Sequence, residues 1–334
     1  MKIAIVILNW NGRKLLETFL PSVVNYSKEA RIYVADNASE DDSVAYVKKT
    51  FPQVNIIQNK TNGGYAKGYN DALQYLNEDI FILLNSDVEV TPNWLIPIIS
   101  HFEKHTNTAI VQPKILNHQQ KSTFDYAGGS GGFIDSLGYP FCRGRIFQTL
   151  EKDTEQYNNA CKISWASGAC LAIKKEVFFE AGQLDEDYFA HQEEIDLCWR
   201  VHHLNYEIWA IPTSTVYHLG GGTLHAMHPK KTFLNFRNSL FNLVKNKKRN
   251  VFFSVFTRMI LDALAGGKFL IELKPKHFLA ILKAHFSFYI HLPKMIKKRK
   301  SSYNNKENFT SLKSIVWLYF IKKKTKFSQL KNVS

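Results

Sequence analysis

Short apolar runs alternate with helix-like segments through the first hundred residues, and this alternation is what most limits the possible fold. The runs predicted as strands are 3–8, 31–36, 54–58 and 79–85. The segments predicted as helices are 13–26, 39–49, 65–76 and 92–104. Strands that alternate with helices in this way predict a mostly parallel, doubly wound sheet with helices on both faces.

After residue 105 the alternation becomes irregular. Further strands are predicted at 109–116, 162–173, 206–212 and 213–219, and further helices at 193–204 and 230–248. The segment 125–147 is rich in glycine and aromatic residues, which predicts a loop or an irregular hairpin over a cleft.

The charge is unevenly distributed between two parts of the chain. Residues 245–334 hold 21 Lys/Arg and 3 Asp/Glu, whereas residues 1–244 hold 22 and 26. A chain of 334 residues with 45% hydrophobic residues can form one large α/β domain or two small ones. We therefore predict a first domain over 1–245 and a basic helical extension over 246–334.

The cysteines and the N-terminus predict an intracellular protein. The four cysteines are scattered without a CxxC pair, which favours a reducing compartment and argues against structural zinc. The opening MKIAIVILNWNG lacks the cleavage site of a signal peptide and is predicted to be a strand. The expected location is therefore the cytoplasm.

Polar residues gather where the predicted strands end. Strand ends are Asn9-Trp10-Asn11-Gly12, Asp36-Asn37-Ala38-Ser39 and Asn85-Ser86-Asp87, and NKTNGGYAKGYN follows the third strand. Ligands of open parallel sheets bind beyond these carboxyl ends. A polar strand end is ordinary at any single position, but four in succession favour a site of nucleotide size.

The sequence lacks the common phosphate-binding motifs. No G-x-G-x-x-G follows the first strand and no Walker lysine motif is present, which argues against a dinucleotide fold of the usual kind. Asp87 suggests another way to neutralise phosphates, because a carboxylate at a strand end can hold Mg²⁺ or Mn²⁺ together with phosphate oxygens. The alternative is that Asp87 simply begins a surface turn.

A second acidic cluster opens the predicted helix at 193–204. Glu193, Glu194 and Asp196 lie at its start, where the helix dipole favours carboxylates. Aromatic and apolar neighbours predict that some of these acids are partly buried, which would raise their pKa and suit a general base. An ordinary acidic helix start is the alternative.

Two basic side chains are further candidates. His218 ends a strand before Gly220-Gly221-Gly222, and such glycines let the backbone approach a phosphate or move as a flap. A structural histidine is the alternative. Arg237 could clamp a phosphate or extend along apolar neighbours to solvent, and the sequence leaves both open.

At these residues the chain resembles the family-2 glycosyltransferases, inverting enzymes of the GT-A fold, and especially their rhamnosyltransferase-like branch. The resemblance covers about residues 1–245. It rests on seven segments in the expected order: VILNWNG, VADNASEDDS, NGGYAKGYN, LLNSDVEV, SGACLAIKKEVF, LDEDYFAHQEEIDLCWR and VYHLGGGTL. It implies a GT-A fold, with a Rossmann-like, mostly parallel mixed sheet flanked by helices, to which the basic helical extension is added.

The resemblance also implies a nucleotide-sugar site. Asn9 to Asn11 and Asp36 would line the base and ribose pocket, and Asn85-Ser86-Asp87 occupies the place of the family's Asp-x-Asp signature. Asp87 would then be the remaining ligand of Mg²⁺ or Mn²⁺. The other residues implied at the donor, sugar or acceptor pocket are Asn62, Gly64, Asn70, Gly168 and Ala169.

The catalytic residues follow from the same resemblance. The family's base is usually the aspartate of a Glu-Asp pair, and the matching pair here is Glu193-Glu194. Glu194 therefore occupies the base position, with Asp196 as the alternative base. His218 and Arg237 match positions near the metal or the diphosphate. The implied reaction is attack of an acceptor hydroxyl on the anomeric carbon while the nucleoside diphosphate leaves from the opposite face.

The last quarter of the chain mixes apolar runs with lysines. Arg258, Asp262 and Lys268 interrupt its best apolar stretch, so a membrane-spanning helix is not predicted. Amphipathic helices lying on an anionic membrane are predicted instead. The alternative is a helical cap on the core with a solvated charged face. No nucleic-acid recognition motif is present, so nucleic acid is not an expected partner.

These observations predict a glycosyltransferase on the inner face of the plasma membrane. Its donor would be a nucleotide-diphosphate sugar, and its acceptor a glycan or a polyprenyl-linked sugar of surface polysaccharide. The alternative is a catalytically silent sugar-binding or scaffold protein on the same fold, since Asn85 and Glu194 depart from the family pattern.

Overall fold

The structure is a computed structural model that describes residues 1–220, 228–299, 309–330 and 333. The described residues form strands β1 (Ile3–Asn9), β2 (Arg31–Asp36), β3 (Asn55–Gln58), β4 (Ile80–Asn85), β5 (Val88–Val90), β6 (Thr108–Asn117), β7 (Gly132–Ile134), β8 (Pro140–Cys142), β9 (Arg145–Ile146), β10 (Thr149–Leu150), β11 (Cys161–Lys162), β12 (Cys170–Lys174) and β13 (Glu207–His218). The helices are α1 (Arg13–Tyr26), α2 (Ser43–Thr50), α3 (Gly64–Leu73), α4 (Leu95–Lys104), α5 (Lys175–Glu180), α6 (Glu193–His203), α7 (Pro229–Asn246), α8 (Val251–Ile271) and α9 (Pro275–Lys298).

The central sheet is mixed, as predicted. Its strand order is β11-β13-β6-β12-β4-β1-β2-β3, with β5 paired to β13 at the side. Strands β1 to β4 run parallel, whereas β12 runs antiparallel to both β4 and β6. The parallel half brings the ends of β1, β2 and β4 to one rim, where the polar residues were predicted to gather.

Strand β1 explains why the parallel strands read as continuous apolar runs. Ala4 and Val6 face one hydrophobic core, whereas Ile3, Ile5 and Ile7 face another on the opposite side of the sheet. Because successive side chains of a strand point to opposite faces, a strand covered on both faces needs apolar residues at every position.

Four local predictions were wrong. The helix expected from Ser39 begins at Ser43, because the Ser39 hydroxyl oxygen accepts hydrogen bonds from Asn11 N and Asn9 Nδ2 at the end of β1. The segment 125–147 contains β7, β8 and β9, which form a small antiparallel sheet together with β10, rather than one loop or hairpin. The strand expected at 162–173 is divided into β11 and β12, and the two strands expected over 206–219 are the single strand β13.

The C-terminal helices pack on α7 through their own apolar cluster. This cluster contains Tyr188, Leu240, Phe241, Val244, Phe288 and Met295. Arg258 and Asp262 form a buried ion pair 2.9 Å apart, and the hydroxyl of Tyr139 donates a hydrogen bond to Asp262 at 3.4 Å. Since Tyr139 lies next to β8, this network fastens α8 to the small sheet.

Residues 309–330 pack against α6 and β7. Phe309 stacks on Trp199 of α6 with ring centroids 4.6 Å apart, and Phe327 contacts Phe133 of β7 at 5.0 Å. Both phenylalanines belong to the largest hydrophobic core. The last described segment therefore completes that core.

The outward faces of α8 and α9 carry large apolar side chains in solvent. Phe252, Phe253, Ile271 and Phe286 are each at least 67% exposed. Within the described ranges, no helix has the length and apolar character needed to cross a membrane.

Candidate active site

A buried polar network closes the ends of β1 and β2. The side-chain nitrogen Nδ2 of Asn9 lies within 3.2 Å of Asp36 Oδ1, Ser39 Oγ and Ser43 Oγ. The second oxygen of Asp36 accepts a hydrogen bond from Ser39 N at 3.1 Å. Asn9 and Asp36 are both almost fully buried. They therefore shape the two turns at this rim from below its surface.

Trp10 and Asn11 lie above this network. Trp10 is 47% exposed, so it presents an aromatic face at the rim. Asn11 has a left-handed φ of 49° and accepts a hydrogen bond from Glu40 N at 2.8 Å. At Gly12, a Cβ atom would lie 2.3 Å from Asn9 Oδ1, so the turn can come this close to the network only with glycine.

The start of α3 contacts the loop that leads to α6. Asn62 Oδ1 accepts hydrogen bonds from Gly64 N at 3.0 Å and from Asn37 Nδ2 at 2.9 Å. Gly64 has a φ of +83°, and a Cβ atom there would lie 2.5 Å from the carbonyl oxygen of Phe189. Tyr65 N donates to that same oxygen at 2.9 Å. Asn62 and Gly64 thus lie together at the rim.

Asn70 and Arg237 both hold the segment before α6. Asn70 forms two hydrogen bonds with the backbone of Leu184, at 2.8 and 3.1 Å. Arg237 donates to the carbonyl oxygens of Asp187 and Tyr188, each at 3.1 Å. Neither side chain is directed at the polar network at the ends of β1 and β2. The sequence left two roles open for Arg237: a phosphate clamp, or a side chain that extends to solvent. The structure supports neither role.

Asn238, which the sequence did not single out, holds the same loop. Its Nδ2 atom lies within 3.1 Å of the carbonyl oxygens of Tyr188, Ala190 and His191. The loop contains three residues with left-handed φ angles: Phe189, His191 and Gln192. Such backbone is costly for residues other than glycine, so the loop depends on these contacts from α7.

Glu193 and Glu194 follow this loop at the start of α6. Glu193 is buried, and its burial together with the charge of Glu194 raises its pKa well above the usual value. Burial also raises the pKa of Glu194, to about 7. Glu194 lies beside Gly168, where a Cβ atom would be 3.8 Å from the Glu194 Cβ. The hydroxyl of Tyr65 donates to the Gly168 carbonyl at 2.7 Å.

Asp196 has a different environment. Its carboxylate receives two hydrogen bonds from Arg200, at 2.8 and 2.9 Å, and contacts Lys245 Nζ at 2.7 Å and Asn246 Nδ2 at 2.8 Å. Burial opposes its charge, but Arg200 and Lys245 outweigh burial and hold the pKa of Asp196 well below the usual range. This carboxylate therefore joins α6 to α7.

Asp87 and His218 meet because of the strand register. In the antiparallel pair β5–β13, His218 lies opposite Val88, the residue after Asp87. His218 Nε2 is 3.2 Å from Asp87 Oδ1, and its Nδ1 is 3.0 Å from Asp125 Oδ1. Burial favours neutral histidine, but the two carboxylates outweigh it and raise the pKa of His218 to about 10.

Asp125 was not predicted from the sequence. It begins the glycine-rich segment, and its Oδ1 also accepts a hydrogen bond from Ala127 N at 2.8 Å. A carboxylate that binds one imidazole nitrogen directs the other toward a metal, an arrangement common around metal-binding histidines. Asp125 binds Nδ1 of His218 in this way, and Nε2 of His218 is directed at Asp87. Nothing in the sequence spacing pointed to Asp125, since the pairing depends on the fold.

The donor atoms of Asp87 and His218 suit a divalent cation, but they are only two. In the described ranges, no group of three or more His, Cys, Asp or Glu side chains is arranged to hold a metal ion. A bound ion would need further oxygen ligands, such as those of a diphosphate. Gly220 has a φ of +71°. The rest of the predicted glycine flap, Gly221 and Gly222, lies outside the described residues.

One backbone contact connects the two acidic centres. Asn85 N, two residues before Asp87, donates to the carbonyl oxygen of Ala169 at 3.0 Å. Ala169 follows Gly168, which lies beside Glu194. Ser86 lies between these contacts and the first turn, with its Oγ 3.9 Å from where a Gly12 Cβ would be. Through Gly168 and Ala169, Glu194 is thus connected to the end of β4, two residues before Asp87.

Comparison with protein families gives a match over residues 4–179, about half of the chain, to the family described as glycosyl transferase family 2. A low-salt glycan biosynthesis hexosyltransferase of Haloferax volcanii is 25% identical over 211 residues, which cover 62% of this chain and 63% of that protein. The N-acetylglucosaminyl-diphospho-decaprenol L-rhamnosyltransferase of Mycobacterium tuberculosis is 23% identical over 64% of this chain and 75% of that protein.

A solved structure shares the fold over most of the chain. The mannosyltransferase of Pyrobaculum calidifontis, in complex with GDP-Man and Mn²⁺, superimposes with a TM-score of 0.54 at 12% identity. The superposition covers 86% of this chain and 87% of that one. At this identity the likeness shows the GT-A fold, which confirms the predicted fold class.

Proposed function

This chain belongs to glycosyl transferase family 2, and from that premise we propose that it transfers a sugar from a nucleotide-diphosphate sugar to a hydroxyl group. The acceptor is a glycan or a polyprenyl-linked sugar, and the anomeric configuration is inverted. The observation that carries this proposal is Glu194. Its pKa of about 7 suits a general base, and it lies beside Gly168, whose neighbour Ala169 accepts a hydrogen bond from Asn85 N.

The donor side of the proposal rests on the rim of the parallel strands. Trp10 offers an exposed ring on which a nucleobase can stack, and Asn11 lies beside it. Asn9 and Asp36 keep the two turns in place from below. Asn62 and Gly64 border the sugar.

Asp87 and His218 would hold Mg²⁺ or Mn²⁺ at the diphosphate, with Asp125 orienting His218. Because the pKa of His218 is raised to about 10, the ion would have to displace a proton from His218 on binding. When bound, the divalent ion supplies Lewis-acid stabilisation of the negative charge that develops on the leaving diphosphate. The Pyrobaculum mannosyltransferase was solved with Mn²⁺ and GDP-Man, which supports the same class of cofactor here.

The catalytic steps proposed for the protein's own residues involve mainly α6. Glu194 accepts the proton of the acceptor hydroxyl while the hydroxyl oxygen attacks the anomeric carbon. Burial and the charge of Glu194 raise the pKa of Glu193, which favours its neutral form beside the base. Asp196 is enclosed by Arg200 and Lys245, so it serves as an anchor and Glu194 is assigned as the base. A single base fits a direct displacement with inversion.

The extension over 246–334 is proposed to contact an anionic membrane on its cytoplasmic side. Large apolar side chains on α8 and α9 lie in solvent, and the extension carries a strong excess of lysine. The mycobacterial relative is named for a decaprenyl-diphosphate-linked acceptor, which supports a lipid-linked acceptor for this chain. The pathway proposed is surface polysaccharide synthesis.

The test is release of nucleoside diphosphate from a panel of nucleotide sugars, with Mn²⁺ or Mg²⁺ and a polyprenyl-linked sugar. We expect acceptor-dependent release and a product of inverted configuration by NMR. Donor binding without release, for every donor in the panel, would favour the silent sugar-binding alternative.

A further inference from the structure

A groove lies between the N-terminal part of α7 and the N-terminal third of α9. Its volume is about 450 Å³. Its walls include Lys230, Lys276 and Lys283, and its floor includes Phe233, Leu279 and Ala280. A groove with cations on its walls and an apolar floor matches a ligand that is anionic at one point and apolar beside it.

The three lysines can receive an anion. Within the described ranges, no carboxylate forms an ion pair with Lys230, Lys276 or Lys283. Other lysines of α9 differ: Lys294 and Lys298 are neutralised by Asp187 at 2.6 and 2.7 Å. The positive charge of the groove is therefore available for a phosphate or a diphosphate.

The position of the groove relates it to the candidate base. Lys230 Nζ lies 4.8 Å from the centre of the Phe189 ring, and Phe189 belongs to the loop that leads directly into Glu193 and Glu194. An anion held by Lys230 is thus next to the loop that positions Glu194. A sugar attached to that anion would be on the side of the proposed reaction.

The apolar floor continues along α9. Leu279 is 51% exposed, and Leu282 and Phe286 follow it at 50% and 70% exposure. Spacings of three and four residues place these side chains along one side of the helix. A hydrocarbon chain that starts in the groove would therefore find an apolar path on the outward surface of the extension.

We propose that this groove binds the diphosphate and the first isoprenyl units of a lipid-linked acceptor. The proposal rests on the proposed function, because it assigns a place to that reaction's acceptor. A phospholipid headgroup has similar chemistry, but it carries no sugar and gains nothing from a site beside the Glu194 loop. The diphosphate lies among the three lysines, and the isoprenyl chain leaves over Leu279.

The test is direct binding of geranylgeranyl diphosphate to the full chain in neutral detergent. The variant Lys276→Gln/Lys283→Gln should weaken binding by about tenfold or more, since two charge-assisted contacts are removed. The control Lys48→Gln/Lys49→Gln removes the same charge from the exposed end of α2 and should bind like the original chain. Leu279→Ser should weaken binding of geranylgeranyl diphosphate but leave binding of inorganic diphosphate unchanged.

The outcomes separate this proposal from the proposed function. Equal binding by the two lysine variants, or no binding by the original chain, would overturn the groove assignment. If Lys276→Gln/Lys283→Gln weakens binding to phosphatidylglycerol vesicles more than binding to geranylgeranyl diphosphate, the groove is a headgroup site and the assignment is overturned. If binding behaves as expected but no sugar is ever transferred, the groove stands and only the proposed function fails.

Discussion

Glu194 and Asp196 lie two residues apart at the start of α6, and their pKa values are shifted in opposite directions. Burial raises the pKa of Glu194 to about 7, whereas Arg200 and Lys245 hold that of Asp196 well below its usual range. One carboxyl group can therefore exchange a proton near neutral pH, and the other remains an ion-paired anchor. Opposite shifts in a pair of carboxyl groups indicate separate roles.

The first prediction concerns the base. Glu194→Gln should lower turnover by about 10²–10⁴-fold, the usual contribution of general base catalysis. Donor binding should be unchanged, because Glu194 lies on the acceptor side of the proposed reaction. Steady-state kinetics and donor titration measure both quantities.

Glu193→Gln is the matched control for that variant. Since burial and the charge of Glu194 raise the pKa of Glu193 and favour its protonated form, glutamine resembles that form, and turnover should stay close to that of the original chain. A large loss in Glu193→Gln with little loss in Glu194→Gln would transfer the role of base to Glu193.

The second prediction concerns pH. The base must be deprotonated, so kcat/KM should rise about tenfold per unit below the pKa of Glu194 and level off above about 7. The residual activity of Glu194→Gln should lack this rise. A profile in which the activity of the original chain falls between pH 6 and 8 would contradict the assignment.

The third prediction concerns stability. Asp196→Asn leaves Arg200 and Lys245 buried without their common partner, and should lower the free energy of unfolding by about 3–5 kcal/mol. Urea unfolding measures this loss. Asp42→Asn is the control, because the Asp42 side chain is 73% exposed and its pair with Arg13 should contribute at most about 1 kcal/mol.

The same residue gives a pH dependence of stability. Because the folded-state pKa of Asp196 is depressed, its contribution is fully present above the unfolded pKa of about 4. It is lost as the pH falls through the folded-state value. In Asp196→Asn the free energy of unfolding should therefore decrease less on acidification than in the original chain.

The fourth prediction concerns the metal. Mn²⁺ with nucleoside diphosphate should raise the Tm of the original chain by mass action, and Asp87→Asn should abolish the Mn²⁺-dependent part. Asp125→Asn should weaken Mn²⁺ binding by about 10–100-fold, as expected for a residue that orients a ligand. Equal Mn²⁺ affinity in all three proteins, measured by titration calorimetry, would place the metal elsewhere.

The fifth prediction concerns the membrane. Phe253→Ser/Phe256→Ser removes two exposed rings from α8 and should reduce binding to phosphatidylglycerol vesicles by at least about tenfold, since each buried ring contributes more than 1 kcal/mol. Vesicle sedimentation measures the change. Tyr75→Ser removes a ring that is 70% exposed outside the extension and should have no effect.

The parallel half of the sheet was predictable because the local sequence of each strand indicates whether its faces are buried. Strand β1, for example, is apolar from Ile3 to Leu8, which requires two covered faces. Strands β7 to β10 are only two or three residues long, and their packing depends on distant residues such as Phe327. No local pattern in 125–147 contains that information, so the small sheet was missed.

The site divides in the same way. Asp87 and His218 were predicted together and lie 3.2 Å apart. Asp125 and Asn238 were not predicted, because each acts through a contact that only the register of β13 or the packing of α7 creates. Asn70 and Arg237 were predicted at the donor, and both bind backbone of the segment before α6. A polar residue in a motif indicates a hydrogen bond, but not whether its partner is a ligand or a loop.

The stacking of Phe309 on Trp199 has a consequence for synthesis on the ribosome. Trp199 and Phe133 emerge more than a hundred residues before Phe309 and Phe327, which cover them in the finished core. The nascent chain therefore exposes an apolar surface at Trp199 and Phe133 until residues 309–330 have been synthesised. A translation pause within α8 or α9 would prolong that exposure, when chaperones or aggregation compete for the surface.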